Sequence, residues 1–149
     1  MGIFHRLQGA ILNRIADTLI DDSASIQSFV SRVEPIIQVS KTLGVHQGDM
    51  EDPTKSRIVL CYFFGFIEIL ADHQNLNKDA IIPATTQIFA SVFDFNQKET
   101  EDSVACVMDA SLTEDGRQYS HAGAMAVADY LEQKTPSAVS PLKAFLDSA

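Results

Sequence analysis

The stretch IVLCYFFGFIEILAD, residues 58–72, is the most apolar part of the chain, and one carboxylate, Glu68, lies inside it, before Asp72 at its end. It is too short for a transmembrane helix, which needs about 20 apolar residues. A β-strand is the main alternative, because IVLCYFF is rich in β-branched and aromatic residues. A strand needs partners, however, and no other segment has comparable β character. A helix would instead gather the least apolar residues along one narrow edge: Arg57, Cys61, Phe64, Gly65, Glu68 and Asp72.

A helix that is apolar nearly all round is buried by its neighbours. The sequence therefore predicts a central helix over about 53–72, with Asp52 as its N-cap and Pro53 in its first turn. Glu68 then either emerges between two neighbouring helices or is paired inside, because an unpaired buried carboxylate is costly.

The rest of the chain has helical periodicity almost throughout. Pro35 should bend or split the second helix, and Gly44 should follow its end as a C′ residue. TPSAVSP should be a link between two helices, with Ser140 and Pro141 starting a short C-terminal helix. We expect one all-α domain over residues 1–149, a compact bundle of about six to seven helices around the central one. The expected flanking helices are 2–20, 26–44, 82–93, 99–110, 115–133 and a segment after 140.

Composition and the N-terminal pattern predict a cytoplasmic protein. The chain has 149 residues, of which 46% are hydrophobic and 21% charged, as in ordinary globular domains. Its two cysteines lie in apolar segments and are expected to be free thiols of a reducing compartment. The first 22 residues lack the unbroken apolar run of an export signal, and Arg6 stands where a myristoylation signal has Ser or Thr.

The negative charge is concentrated in one segment. The formal net charge is −9, and residues 94–116 contain seven acidic residues against Lys98 alone. Such a field repels nucleic acid and anionic membranes and attracts a basic protein partner. The alternative is a solvated surface that only keeps the protein soluble.

No motif in the sequence carries a chemistry. The four histidines are isolated from one another and from any Cys-x-x-Cys pair, so neither a metal site nor a cofactor is predicted. The one acid–base cluster near a helix end is His73 with Glu68 or Asp72, which leaves a small enzyme as an alternative function. We predict a non-catalytic protein.

The sixth helix has a stripe of small residues bracketed by two tyrosines. Small residues allow another helix to approach closely, and tyrosines are good interface anchors. The stripe is expected either to pack against the central helix or to form a partner or homodimer interface. Its members are Tyr119, Ala122, Gly123, Ala126, Val127 and Tyr130.

Residues 109–148, DASLTEDGRQYSHAGAMAVADYLEQKTPSAVSPLKAFLDS, combine a polar turn, a helix with a Gly-Ala start and an aromatic-Leu end, and a proline-containing tail. This segment resembles the C-terminal part of small all-helical bacterial immunity proteins. The resemblance implies a small, cytosolic, catalytically silent protein that blocks the active site of a basic antibacterial toxin. The contact residues expected on this reading are Glu99, Glu101, Asp102, Glu114, Asp115, Tyr119 and Tyr130. The main alternative is a helical adaptor or regulator, homodimeric through the tyrosine stripe.

A second segment is similar to TerB-like helical domains, whose helices are joined by an acidic Ala-Asp-Gly turn. The corresponding residues here are Ala71, Asp72 and His73, so the glycine is missing. That departure does not support the metal-linked function of those domains.

Overall fold

The computed structural model describes residues 24–149, so the predicted helix over 2–20 lies outside the described residues. Within that range the chain forms six α-helices and no strand, which confirms the all-α prediction. Short 3₁₀ turns, Asp49–Glu51 and Lys78–Ala80, precede the second and third helices. The helices are α1 (24–44), α2 (Pro53–His73), α3 (Ile81–Val92), α4 (Gln97–Ala110), α5 (Glu114–Leu131) and α6 (Thr135–Ser148).

Helix α2 is the centre of the bundle, as its sequence predicts. It contacts α3, α4, α5 and α6, and its apolar residues from Ile58 to Ile67 are buried. The Asp52 side chain accepts hydrogen bonds from the backbone amides of Thr54 and Lys55 and so caps the helix. The strand alternative for this segment is wrong: the segment is an α-helix, and the surrounding helices bury its apolar side chains.

Two glycines let α2 and α5 cross at close range. A Cβ atom on Gly65 would lie 1.8 Å from the carbonyl oxygen of Ser120, and one on Gly123 would lie 1.8 Å from that of Tyr62. Only a residue without a side chain fits at either position. The small-residue stripe of α5 therefore packs against the central helix.

Pro35 does not split α1, which is helical without interruption from 24 to 44. Pro35 and Ser31 are both exposed. The Ser31 carbonyl, which loses its helical partner to the proline, can therefore be hydrated. Meanwhile Phe29, Val33 and Ile37 are buried on the inner face and favour the helix. Gly44 is the last helical residue rather than a C′ cap, since no glycine of the described chain has a positive φ.

The predicted boundary at Ser140–Pro141 is wrong. Helix α6 begins at Thr135, has Pro136 in its first turn, and continues through Pro141, so TPSAVSP is not a link. Ala138, Val139, Leu142 and Leu146 form one buried stripe across the proline. The burial of this stripe outweighs the local cost of an exposed proline inside the helix.

Candidate functional site

A bidentate ion pair between Arg57 and Asp115 joins the start of α2 to the start of α5. Arg57 donates from Nη1 and Nη2 to the two carboxylate oxygens of Asp115, at 3.0 Å each, and from Nη2 to Thr113 Oγ1 at 2.8 Å. Thr113 is the N-cap of α5 and accepts from the Gly116 amide. Hydrogen bonds from Arg57 and Thr113 hold the pKa of Asp115 well below its usual range. The carboxylate of Asp115 therefore already has its partners within the fold.

We expect Arg57→Ala to lower the thermal midpoint more than Lys134→Ala. The control, Lys134→Ala, removes a monodentate ion pair between Lys134 and Glu132, in which both side chains are exposed. Because the folded-state pKa of Asp115 is depressed, its stabilisation is present above about pH 4 and is lost as the pH falls toward the folded-state pKa. Circular dichroism melts from neutral to strongly acid pH should show the two curves, wild type and Arg57→Ala, converging at acid pH. A constant gap would contradict this assignment.

Two of the predicted contact residues, both exposed, also stabilise α4. Glu99 forms a capping box with Asn96, since each side chain accepts from the other's backbone amide. Glu101 accepts from the Gln97 side chain at 3.1 Å. Asp102 and Glu114 are also exposed but form no ion pair or side-chain hydrogen bond within residues 24–149. Of the five acidic residues predicted as contacts, Asp102 and Glu114 are therefore the two whose carboxylates have no partner within the described residues.

A shallow groove of about 470 Å³ lies beside α4, and we call it the acidic groove. It is lined by Arg57, Asp102, Ala105, Cys106, Asp109, Ala110 and Thr113. Asp102 and Asp109 are seven residues apart on the same face of α4, which separates them by about 10 Å. Asp109 belongs to the acidic segment 94–116 but is not among the predicted contacts, although its spacing of seven residues from Asp102 places both on one helix face.

The acidic groove has a net negative character. Neither Asp102 nor Asp109 forms an ion pair within the described chain, while the charge of Arg57 is already matched by Asp115. Burial raises the pKa of the Cys106 thiol, so that thiol stays neutral between the two carboxylates. The result is a partly apolar floor flanked by two carboxylates that can bind cationic groups.

A second groove, of about 490 Å³, lies between α2, α3 and the Met108 side chain of α4. We call it the Glu68 groove. Its apolar lining is Phe64, Ile69, Leu76, Ile81, Ile82 and Met108, and its charged rim is Glu68, Asp72 and Lys78.

Glu68 is exposed on the edge of α2, so it emerges between neighbouring helices rather than being paired inside. It also lines a smaller depression toward α5, beside Ser120 and His121. It has no ion-pair partner in the part of the chain that the structure describes. Partial burial against these neighbours raises the pKa of its carboxyl group.

We expect Glu68→Leu to leave the thermal midpoint unchanged or to raise it at neutral pH. The raised pKa means that folding disfavours the charged form, a penalty that is present at neutral pH and absent below about pH 4. The advantage of leucine should therefore shrink in acid melts. Glu51→Leu, at an exposed position outside the groove, is the control and should change stability little. A large fall in midpoint or in soluble expression would show that Glu68 is needed for folding.

Only part of the acid–base cluster of the enzyme alternative lines the Glu68 groove. Asp72 lines the Glu68 groove, but exposed His73 does not. Within residues 24–149 no group of three or more His, Cys, Asp or Glu side chains could hold a metal ion. Glu68 and Asp72 thus share a groove that His73 does not line.

The structure buries one of the two tyrosines predicted as contacts. Tyr130 is 8% exposed and packs edge-on against Phe66, with ring centroids 4.5 Å apart. Tyr119 is half-buried and packs against Phe145. Tyr130 is therefore part of the core of the bundle, and the stripe meets α2 at Gly123.

No helix in the described range is both long enough and apolar enough to cross a membrane. Comparisons with protein-family models, with curated proteins and with solved structures found no match to this chain. The all-α bundle and its two grooves are thus the basis for a functional proposal.

Proposed function

We propose that this chain is a non-catalytic binding protein for a basic protein partner. In its most specific form it is a cytoplasmic immunity protein that neutralises a basic antibacterial toxin by covering the toxin's active site. The observation that carries the proposal is the acidic groove, in which Asp102 and Asp109 lack cationic partners within the described chain.

The groove has the properties that binding a basic surface requires. Two carboxylates about 10 Å apart can each pair with a lysine or arginine of the partner. The concentrated charge of residues 94–116 would speed the encounter with a positively charged protein. Occlusion of an active site needs only complementary surfaces, and it needs no catalytic group on this chain.

An exposed apolar side chain lies next to the same surface. Leu112, in the turn between α4 and α5, is 79% exposed. A few residues carry most of the binding energy of an interface, while surrounding charges set the rate and specificity. We expect Leu112 to add apolar contact area beside the acidic groove, with Glu114 on the rim.

The test begins with purification of the tagged protein from the cells that naturally produce it. We expect one stoichiometric basic protein to accompany it and to be released by high salt. Producing that partner alone in a heterologous host should stop growth, and co-production of this chain should restore it. Recovery of the tagged chain alone, with self-association in solution, would contradict the proposal and favour a homodimeric adaptor.

A further inference from the structure

The Glu68 groove has an apolar floor that no element within residues 24–149 covers. Phe64, Ile69 and Ile82 line it, and the Met108 side chain at its edge is 46% exposed. The groove has a volume of about 490 Å³. Phe64 and Asp72 are eight residues apart, so the groove follows α2 for about 12 Å, or two helical turns.

The charges on the rim determine which charge a bound partner should carry. Glu68 and Asp72 lie one turn apart on α2, and Lys78 is the one cation among the groove's lining residues. The chain as a whole is strongly acidic, at −9. An occupant should therefore present apolar side chains to the floor and positive charge to the α2 rim.

From this complementarity we infer that the Glu68 groove binds a cationic amphipathic helix of a protein partner. Two turns of such a helix place apolar residues at positions i, i+3 and i+4 along one face, which matches the length of the groove. A lysine or arginine beside that face would pair with Glu68 and Asp72.

The two grooves lie on the two flanks of α4. Met108 lines the Glu68 groove, and its chain neighbour Asp109 lines the acidic groove. A partner that straddles the end of α4 would thus engage both grooves. The identity of that partner rests on the proposed function, but the binding preference of the Glu68 groove can be measured without it.

The experiment uses the full chain with isotope-labelled methionine methyl groups, observed by NMR. Met108 reports on the groove, and Met125, which is 66% exposed on α5, is the internal control because it does not line the groove. The probes are three synthetic peptides: an amphipathic Leu/Lys helix, a Leu/Glu helix of the same pattern, and a Lys/Ser peptide with the same charge but no apolar face.

We expect the Leu/Lys helix to shift the Met108 signal saturably and the Met125 signal little, with no comparable effect from the other two peptides. Glu68→Lys should weaken this binding about tenfold, as should Asp72→Lys, whereas Glu51→Lys should not. Circular dichroism would confirm that each variant is folded.

Three results would overturn the inference. These are equal shifts at Met108 and Met125, equal binding of the Leu/Glu or Lys/Ser peptide, and no shift at Met108 with any peptide. Binding of the Leu/Lys helix without a co-purifying toxin would refute the proposed function and leave this groove assignment intact. Neutralisation of a co-purifying toxin that never shifts the Met108 signal would support the proposed function and refute this groove assignment.

Discussion

Replacing Gly65 by alanine should destabilise the protein by more than about 2 kcal/mol. Alanine is the better helix former by about 1 kcal/mol, so propensity alone predicts the opposite sign. The added Cβ, however, would lie 1.8 Å from the Ser120 carbonyl oxygen, and backbone cannot move aside as a flexible side chain can. The α2 and α5 helices would have to separate, which loosens the core on both sides of the crossing.

Gly123→Ala should have a similar effect, because its Cβ would meet the Tyr62 carbonyl at the same crossing. Gly48→Ala is the matched control: its Cβ meets nothing within 4 Å, and its φ of −90° suits any residue. Urea unfolding of the three variants gives the comparison. Equal stability of Gly65→Ala and Gly48→Ala would show that the two helices do not cross as described.

Leu142→Ala should cost about 2–5 kcal/mol of folding free energy. Leu142 is fully buried, and it follows Pro141 directly in the part of α6 that the local proline signal predicted to be a helix start. If α6 is continuous, Leu142 continues the buried stripe of Ala138 and Val139, and its loss leaves a cavity in the core beside Gly44 of α1.

The same substitution at Leu131 is the control, because that side chain is 65% exposed at the end of α5. Its change in stability should stay within about 0.5 kcal/mol. Chemical unfolding monitored by circular dichroism measures both. A Leu142→Ala protein as stable as Leu131→Ala would mean that the segment after Pro141 does not pack into the core.

The central helix was predictable because its signals are local and agree with one another. The segment is apolar nearly all round, and Asp52 and Pro53 mark its start. The α6 boundary was not predictable from the proline alone. A proline disfavours a helix locally, whereas the burial of Ala138 and Leu142 depends on helices distant in the sequence.

The acidic residues predicted as contacts also divide into those whose role a local sequence signal reveals and those whose role depends on residues distant in the sequence. The segment 94–116 was recognised from composition, but composition does not tell which carboxylates are already engaged. The Asn96-x-x-Glu99 spacing is a capping-box signal and could have identified the structural role of Glu99. The pairing of Asp115 with Arg57 spans 58 residues, and no local pattern predicts it.

These distinctions narrow the proposed contact surface. Seven residues were predicted as contacts, and the structure leaves Asp102 and Glu114 as exposed carboxylates without partners in the described chain. It adds Asp109, on the same face of α4 as Asp102. The binding proposal therefore depends most on the pair Asp102 and Asp109.

The most direct test is the affinity of the co-purified basic partner for two charge-reversal variants. One is Asp102→Lys with Asp109→Lys, and the control is Glu51→Lys with Asp147→Lys, which has the same net charge but changes exposed residues elsewhere. Calorimetry at physiological ionic strength should show binding by the wild type and the control and a loss of at least about a hundredfold for the groove variant. Equal affinity of the two variants would contradict the assignment of the acidic groove as the binding site.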